Sequence, residues 1–214
     1  MKLLPLRTRL YADEWFVATT HISPAAQMVE RYHYAHGTSP NGVYVHGLFL
    51  RGDFQLYGVA WWIPAIAGTV DKYNEGSYTT TLTLHRLVIH PLVPTNGASF
   101  LLGRSIRAIE RGGIYDMLVT YADTWRGHRG QIYKATNWDY RGMSNPLPVW
   151  VDGSGKQVST SSRLKYAGGV RAKSPTAAQL RDMGYTMIGR FPKHVYTKTL
   201  ATKPQSEQMA LWAA

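Results

Sequence analysis

Residues 81–123 have the sequence TLTLHRLVIHPLVPTNGASFLLGRSIRAIERGGIYDMLVTYAD, and this stretch decides the fold of the chain. A long buried strand is predicted over Thr80 to His90, where leucine, valine and isoleucine are frequent. The loop Pro91 to Ala98 leads into a helix over about Ser99 to Arg111, and a short buried strand follows over Met117 to Tyr121. Strands and helices that alternate in this way indicate an α/β sheet covered by helices.

The helix in this stretch has two faces of different chemistry. Leu102, Ile106 and Ile109 recur at helical spacing and form an apolar stripe, which we expect to face the core. The opposite face carries three arginines, Arg104, Arg107 and Arg111. Gly112 and Gly113 follow, and they predict that the helix ends in a left-handed cap.

Further elements are predicted on the N-terminal side. They are a strand over Glu14 to Ile22, a helix from Ser23 to about Tyr34, and strands over Tyr44 to Leu50 and Phe54 to Ile63. Ser23 followed by Pro24 favours a helix start, because a hydroxyl cap precedes the position where proline loses no hydrogen bond. Pro64 to Tyr78 is predicted to be a polar connection.

The C-terminal side predicts shorter elements. They are a short helix over about His128 to Thr136, a hairpin, a helix over Pro175 to Met183, and one or two closing strands over Tyr185 to Leu200. In the hairpin, the turn DGSG (152–155) joins the strands VWV (149–151) and KQV (156–158). Residues 144–175 are the best candidate for an insertion or lid. Residues 202–214 are expected to be a tail, so residues 1–201 are predicted to form a single domain.

Composition excludes several classes of site. The 214 residues include no cysteine, which excludes disulfides, cysteine–zinc sites and thiol nucleophiles. The longest apolar stretch, Tyr57 to Gly68, contains Pro64 and is shorter than the roughly 20 residues of a membrane helix. The N-terminal sequence lacks the apolar core of a signal peptide. We therefore expect a cytoplasmic protein that does not bind membranes.

The charge of the chain is positive and unevenly distributed. The net charge is +11; residues 1–100 carry 7 basic and 6 acidic side chains (+1), and residues 101–214 carry 17 and 7 (+10). A basic half of this kind favours a polyanionic partner, because binding phosphates to Lys and Arg releases counterions. A generally basic soluble protein is the alternative interpretation.

The strand–loop–helix part of residues 81–123 resembles the acyl-CoA-binding core of the GCN5-related N-acetyltransferases. The resemblance implies a mixed, mostly antiparallel twisted sheet flanked by helices, and a pyrophosphate held by backbone amides at a helix N-terminus. The residues implied in donor binding are Asn96, Gly97, Ala98 and Ser99, with Ser105 as a further candidate. This loop has PTNGAS where that family has an Arg or Gln and two spaced glycines. The donor is therefore expected to be acyl-CoA or another activated compound, including an aminoacyl-tRNA.

A more specific motif, YADTWRGHRGQIYKATNWDYRG, occupies residues 121–142. It is similar to the signature of the phage Mom DNA-modification proteins, and HRLVI, SFLLGRSIR and FPKHVY extend the similarity over about Tyr32 to Leu200. The resemblance implies conversion of the adenine exocyclic amine in DNA to its N6-carbamoylmethyl (acetamido) derivative, which protects phage DNA from host restriction. Double-stranded DNA would be the partner, with the target adenine flipped out of the helix.

Two other functions remain open at this point. One is an N-acyltransferase that modifies a small-molecule or protein amine with acyl-CoA. The other is a DNA-binding module without catalysis, which explains the charge but not the carboxylate and tyrosine that follow the predicted crevice. A small-molecule enzyme should show little DNA affinity, whereas a pure binding module should keep its function when Asp123 becomes Asn. Affinity should also fall steeply with salt if phosphates supply most of it.

Two residues of the 121–142 motif are the main catalytic candidates. Asp123 comes directly after a strand, and we assign it as the general base or as the group that positions the amine; a helix-capping aspartate is the alternative. The acetyltransferase resemblance implies that Tyr133 protonates a departing thiolate, and the alternative is a core aromatic residue.

Three more residues complete the predicted catalytic set. His128 lies between glycines, where it fits a phosphate contact, a base or a structural hydrogen-bond donor. Arg86 lies in an apolar strand, so it pairs with a carboxylate or reaches a ligand. Tyr34, or its neighbour Tyr32, is implied to face the substrate. No metal ligand is predicted, because the histidine spacing is not diagnostic; Lys193 and His194 are candidate phosphate contacts.

Overall fold

A seven-stranded sheet forms the centre of the protein in a computed structural model that describes residues 9–39, 41–75, 77–158 and 175–201. The strands of the chain are β1 (Trp15–Thr19), β2 (Tyr44–Leu50), β3 (Leu56–Pro64), β4 (Thr81–Ile89), β5 (Met117–Asp123), β6 (Asp139–Met143), β7 (Leu147–Val151), β8 (Gln157–Val158), β9 (Thr186–Phe191) and β10 (Lys193–Thr199). The large sheet has the order β1-β2-β3-β4-β5-β10-β6. A second, three-stranded sheet has the order β8-β7-β9.

Helices cover both faces of the large sheet. They are α1 (Ile22–Tyr32), α2 (Ala67–Tyr73), α3 (Gly97–Gly112), α4 (Gln131–Ala135) and α5 (Ala177–Asp182). The apolar stripe of α3 packs into the main core with Trp62 and Leu118, as its sequence predicts. On the other face, Met28 and Val29 of α1 pack against Trp61.

The sheet opens between β4 and β5. These two strands are parallel, and their pairing extends only from Thr81↔Met117 to Thr83↔Val119. Beyond that point β4 continues along β3, and β5 continues along β10. A β-bulge at His85 bends β4 at the start of the divergence. Trp61 of β3 pairs with Arg86, and Trp62 pairs with Leu84, so the β3–β4 register skips His85. The two strand ends therefore border a gap.

The structure confirms most of the predicted elements. The mixed, mostly antiparallel sheet, the turn after β2, the left-handed Gly113 at the end of α3 and the two closing strands are all present. The predicted VWV–KQV hairpin is the β7–β8 pair. Residues 159–174 of the predicted insertion, and the predicted tail at 202–214, lie outside the described residues.

Two local predictions are wrong, and one strand was missed. His21, not Ser23, precedes α1, and its side chain makes no cap; Ser23 and Pro24 lie inside the first turn. The connection 64–78 contains α2, which is held by burial of Thr69 and Val70. Strand β6 was not predicted, because its side chains are mostly exposed and have no apolar alternation.

No helix in the described ranges is both long and apolar enough to cross a membrane.

Two glycines that flank the 128–129 loop allow a matched stability test. Gly127 and Gly130 both have positive φ, of 71° and 65°. A Cβ on Gly130 would overlap the ring of Tyr196, whereas a Cβ on Gly127 would meet nothing within 4 Å. Gly127→Ala should therefore lower the free energy of unfolding by about 1–2 kcal/mol, and Gly130→Ala by about 2–4 kcal/mol, in urea titrations. Equal losses would show that the Tyr196 contact adds no strain.

Candidate active site

The gap between β4 and β5 is the mouth of a cavity of about 690 Å³. Its wall is formed by the end of α1, the second half of β4, the end of β5 and residues 127–133. This volume lies in the range of small-molecule and cofactor sites. The divergence of the two strands therefore produces a cavity large enough for a ligand.

Asp123 lies at the edge of this cavity and is the centre of a polar cluster. Its side chain is almost fully buried, with 5% exposure. The Tyr34 hydroxyl donates to its Oδ2 (3.2 Å), and Lys193 Nζ lies 3.3 Å from the same oxygen. Lys193 is the residue opposite Asp123 in the β10–β5 register, so the sheet itself sets this ion pair. The buried carboxylate thus has the positive partner that burial of a charge requires.

Tyr34 connects Asp123 to the cavity. Tyr34 is a wall residue of the cavity, whereas Asp123 is not. Burial raises the pKa of Tyr34 above its usual range, and the negative charge of Asp123 adds to this effect. The phenol therefore stays protonated and acts as a hydrogen-bond donor to the carboxylate.

Aromatic and cationic groups surround the Tyr34 ring. His33 stacks on it with a centroid distance of 4.4 Å, and His128 meets it edge-on at 5.4 Å. The Arg126 guanidinium lies 5.2 Å from its centroid and 3.8 Å from that of Trp125. These contacts surround the Tyr34 ring and hold it in place beside Asp123.

His33 is a neutral donor in the cavity wall. Burial lowers its pKa to about 3, and the positive charge of Arg86 adds to the shift. The backbone N–H of Ala35 donates to its Nδ1 (3.1 Å), so its ring proton lies on Nε2. His33 can therefore donate one hydrogen bond to a ligand without carrying charge.

Arg86 holds the backbone that carries Tyr34. Its Nε donates to the Gly37 carbonyl (2.8 Å), and its Nη1 donates to the His85 carbonyl (2.7 Å) at the bulge. Both of these acceptors are backbone carbonyls, and the two bonds join β4 to the segment after α1. Arg86 is accordingly a positioning residue for Tyr34.

Tyr133 is both a core residue and a wall residue. It lines the cavity, and its ring packs against Trp138 (5.6 Å) and Tyr196 (5.2 Å). Burial raises its pKa, so its hydroxyl is protonated at neutral pH. Both sequence interpretations of Tyr133 are compatible with this position.

The predicted donor residues lie away from the cavity wall. Asn96 exchanges two hydrogen bonds with the backbone of Leu10, at 2.6 and 3.1 Å. The Ser99 hydroxyl donates to the Asn96 carbonyl, and Gly97 and Ala98 begin α3 without lining the cavity. Ser105 is fully buried between His46 and Trp62. The side chains of Asn96, Ser99 and Ser105 are thus bonded within the protein, and donor binding by the backbone amides at the start of α3 stays a prediction.

The structure thus brings together four of the five predicted catalytic residues and places the fifth, Arg86, behind them. Across the described ranges, no group of three or more His, Asp or Glu side chains is arranged to hold a metal ion.

Comparison with a protein family agrees with the motif at 121–142. Residues 14–208 match the model of the Mom protein family. The chain belongs to the Mom protein family. The matched range includes every residue of the Tyr34–Asp123–Lys193 cluster. No curated protein matches the chain significantly.

Solved structures show that this Mom family member has the fold of the GCN5-related N-acetyltransferases. NAA60 of Arabidopsis thaliana, in complex with acetyl-CoA, aligns with a TM-score of 0.56 at 9% identity over 87% of this chain and 99% of that one. A putative acetyltransferase from Acinetobacter baylyi aligns with 0.52 at 12% identity over 92% and 99%. The ribosomal-protein alanine N-acetyltransferase from Escherichia coli aligns with 0.50 at 11% identity over 89% and 97%.

Two features of the site were not predicted from the sequence of this Mom protein. The neutral state of His33 depends on its burial and on Arg86, which are tertiary facts. The Lys193–Asp123 ion pair depends on the register of β10, although FPKHVY, next to a predicted strand, marked the segment as functional.

The buried histidines predict how stability depends on pH. Burial lowers the pKa of His33 to about 3 and that of His46 to about 4, both from 6.5. Between pH 6.5 and about 4 the unfolded chain takes up protons on these rings that the folded protein does not, so the free energy of unfolding should fall as the pH falls. Urea titrations at several pH values measure the slope. A double variant, His33→Asn with His46→Asn, should have a shallower slope; an unchanged slope would contradict the assignment.

Proposed function

We propose that this protein is a DNA-modifying transferase that converts the exocyclic amine of a flipped-out adenine to its N6-carbamoylmethyl derivative. The observation that carries the proposal is the Tyr34 hydroxyl, which lines a ligand-sized cavity and donates to the buried carboxylate of Asp123. Membership of the Mom family and the acetyltransferase fold support the same reaction class. The protein would act in the cytoplasm of a phage-infected bacterium and protect phage DNA from restriction.

Proton removal is the step that this site is suited to perform. The lone pair of the adenine amine is delocalised into the ring, so bond formation between N6 and carbon requires that an N–H proton leaves. As the N6–carbon bond forms, the bond between that carbon and its carrier breaks, and the carrier leaves with the electron pair. Tyr34 is placed to accept the N6 proton while it passes its own to Asp123, and the Tyr133 hydroxyl in the same cavity wall is the acid available to the leaving carrier. Lys193 stabilises the carboxylate before transfer, and the stacked rings keep the base in line with the incoming carbon.

The loop that follows β5 supports contact with nucleic acid. His128 and Arg129 are exposed there in the cavity wall, the exposed Arg126 lies over the ring of Tyr34, and Lys134 lies on the next helix. Cations in this position neutralise phosphates on either side of an extruded nucleotide. The basic excess of the second half of the chain thus includes the rim of the candidate site.

The donor is an activated compound of the acyl-CoA type or another activated carrier. Acetyl-CoA is bound in the compared NAA60 structure. In this chain the side chains of Asn96, Ser99 and Ser105 are occupied internally, so they assign no donor. The mass that deoxyadenosine gains on modification identifies the transferred group and thereby limits the possible donors.

An N-acyltransferase that modifies a small-molecule or protein amine with acyl-CoA is the second candidate. The fold favours it, because the aligned structures with TM-scores of 0.50 to 0.56 are described as acetyltransferases or bind acetyl-CoA. The exposed arginines at the cavity mouth favour the DNA enzyme instead.

The first test is the mass of plasmid nucleosides from bacteria that express the protein. We expect a heavier deoxyadenosine with the unchanged chain. Asp123→Asn should abolish it, because the amide cannot accept the proton, and Tyr34→Phe should reduce it by about a hundredfold or more. Arg107→Gln, an exposed change on α3 outside the cavity, is the matched control and should leave the product unchanged.

Unmodified nucleosides from cells with soluble, folded protein would reject the DNA reaction and favour the second candidate. Loss of product in Asp123→Asn but not in Tyr34→Phe would show that the carboxylate meets the amine directly.

DNA affinity should depend on salt through the loop arginines. Arg126→Gln and Arg129→Gln should each reduce the slope of log K against log salt by about one, because each removes one phosphate contact. Fluorescence anisotropy with a labelled duplex measures this slope. Identical slopes in both variants and in the unchanged protein would place the DNA elsewhere.

A further inference from the structure

A second cavity lies on the face of the sheet that α3 covers. It has a volume of about 350 Å³ and is formed by β1, β2 and the exposed side of α3. It shares no wall residue with the cavity between β4 and β5. Nothing in the proposed reaction uses it.

Three arginines converge on this cavity. Arg104 and Arg111 reach it from the polar face of α3, and Arg51 reaches it from the turn after β2. Aromatic rings hold two of them: the Arg51 guanidinium lies 5.6 Å from the Phe16 centroid, and that of Arg104 lies 5.3 Å from the Phe100 centroid.

No carboxylate in the described ranges forms an ion pair with any of these three arginines. Like charges around one concave surface repel one another, and a bound anion relieves that repulsion. Guanidinium groups also match the geometry of phosphate oxygens, which they bind through paired hydrogen bonds.

A buried histidine adds a neutral donor to the same cavity. His46 is a wall residue with 4% exposure, and its Nδ1 lies 2.6 Å from the Ser105 hydroxyl. Trp62 Nε1 donates to the same Ser105 oxygen at 2.7 Å. In the tautomer in which the Ser105 hydroxyl donates to Nδ1, the ring proton of His46 lies on Nε2, the polar ring atom left for a ligand.

We propose that this cavity is a binding site for a phosphate ester. The phosphate oxygens accept hydrogen bonds from Arg51, Arg104 and Arg111, and His46 Nε2 donates a further one. The volume is at the low end of ligand sites, so the occupant is one nucleotide-sized unit and not a duplex. The phosphate belongs either to a free nucleotide or to one nucleotide of a single strand. This site goes beyond the proposed function and does not depend on it.

Binding of ADP to the full chain, followed by calorimetry, tests the proposal. We expect saturable binding of ADP and none of adenosine, which lacks the phosphates. Arg104→Gln and Arg111→Gln should each weaken ADP binding by about tenfold, because each removes a charged hydrogen bond. Arg107→Gln is the matched control: it removes the same charge from the same exposed helix face, outside the cavity, and should change affinity less than about twofold.

The source of the phosphate follows from competition. A short single-stranded oligodeoxynucleotide that displaces ADP identifies a nucleic-acid strand as the ligand, and one that leaves ADP bound identifies a free nucleotide. Asp123→Asn should bind ADP normally, so this test is independent of DNA modification.

Two results overturn the proposal. One is equal weakening by Arg104→Gln and Arg107→Gln, which shows diffuse attraction by the charge of the helix. The other is the absence of saturable binding of both ADP and the oligonucleotide to protein whose fold is confirmed by circular dichroism.

Discussion

The divergence of β4 from β5 is the constraint on which the rest of the structure depends. Three residue pairs join the two strands, and the bulge at His85 then turns β4 away. Beyond that point β3 and β10 still pair with the outer edges of β4 and β5, whereas the edges that face the gap are no longer paired with each other. The cavity, the end of α1 and the basic loop are all arranged around this gap.

At the gap between β4 and β5, each polar group of the site is held by a different element. The β10 register places Lys193 beside Asp123, and Arg86 fixes the segment that brings Tyr34 to the same carboxylate. The buried carboxylate is thus balanced by one cation and one neutral donor. A site built in this way is preorganised, because its groups are already oriented before substrate binds.

The sequence predicted the features that depend on local pattern. The two faces of α3 follow from spacing alone, and the sequence also indicated that Asp123 lies where a strand ends. Ser105 was assigned to a donor pocket by resemblance, but packing places it between His46 and Trp62. Helix α2 was missed because Gly68 and β-branched residues give it weak intrinsic propensity, and burial decides its structure. Contacts between residues far apart in the chain, such as Lys193 with Asp123, cannot be read from either segment alone.

The bulge at His85 also affects how the site can change in evolution. Replacement of a side chain in β4 keeps the number of residues and therefore keeps the bend. Deletion of a single residue there would remove the bulge, restore regular pairing with β3 and shift the following side chains to the opposite faces of the sheet. A deletion in this part of β4 would therefore disturb the site more than a substitution of similar size, whereas insertions or deletions are better tolerated in the exposed turns.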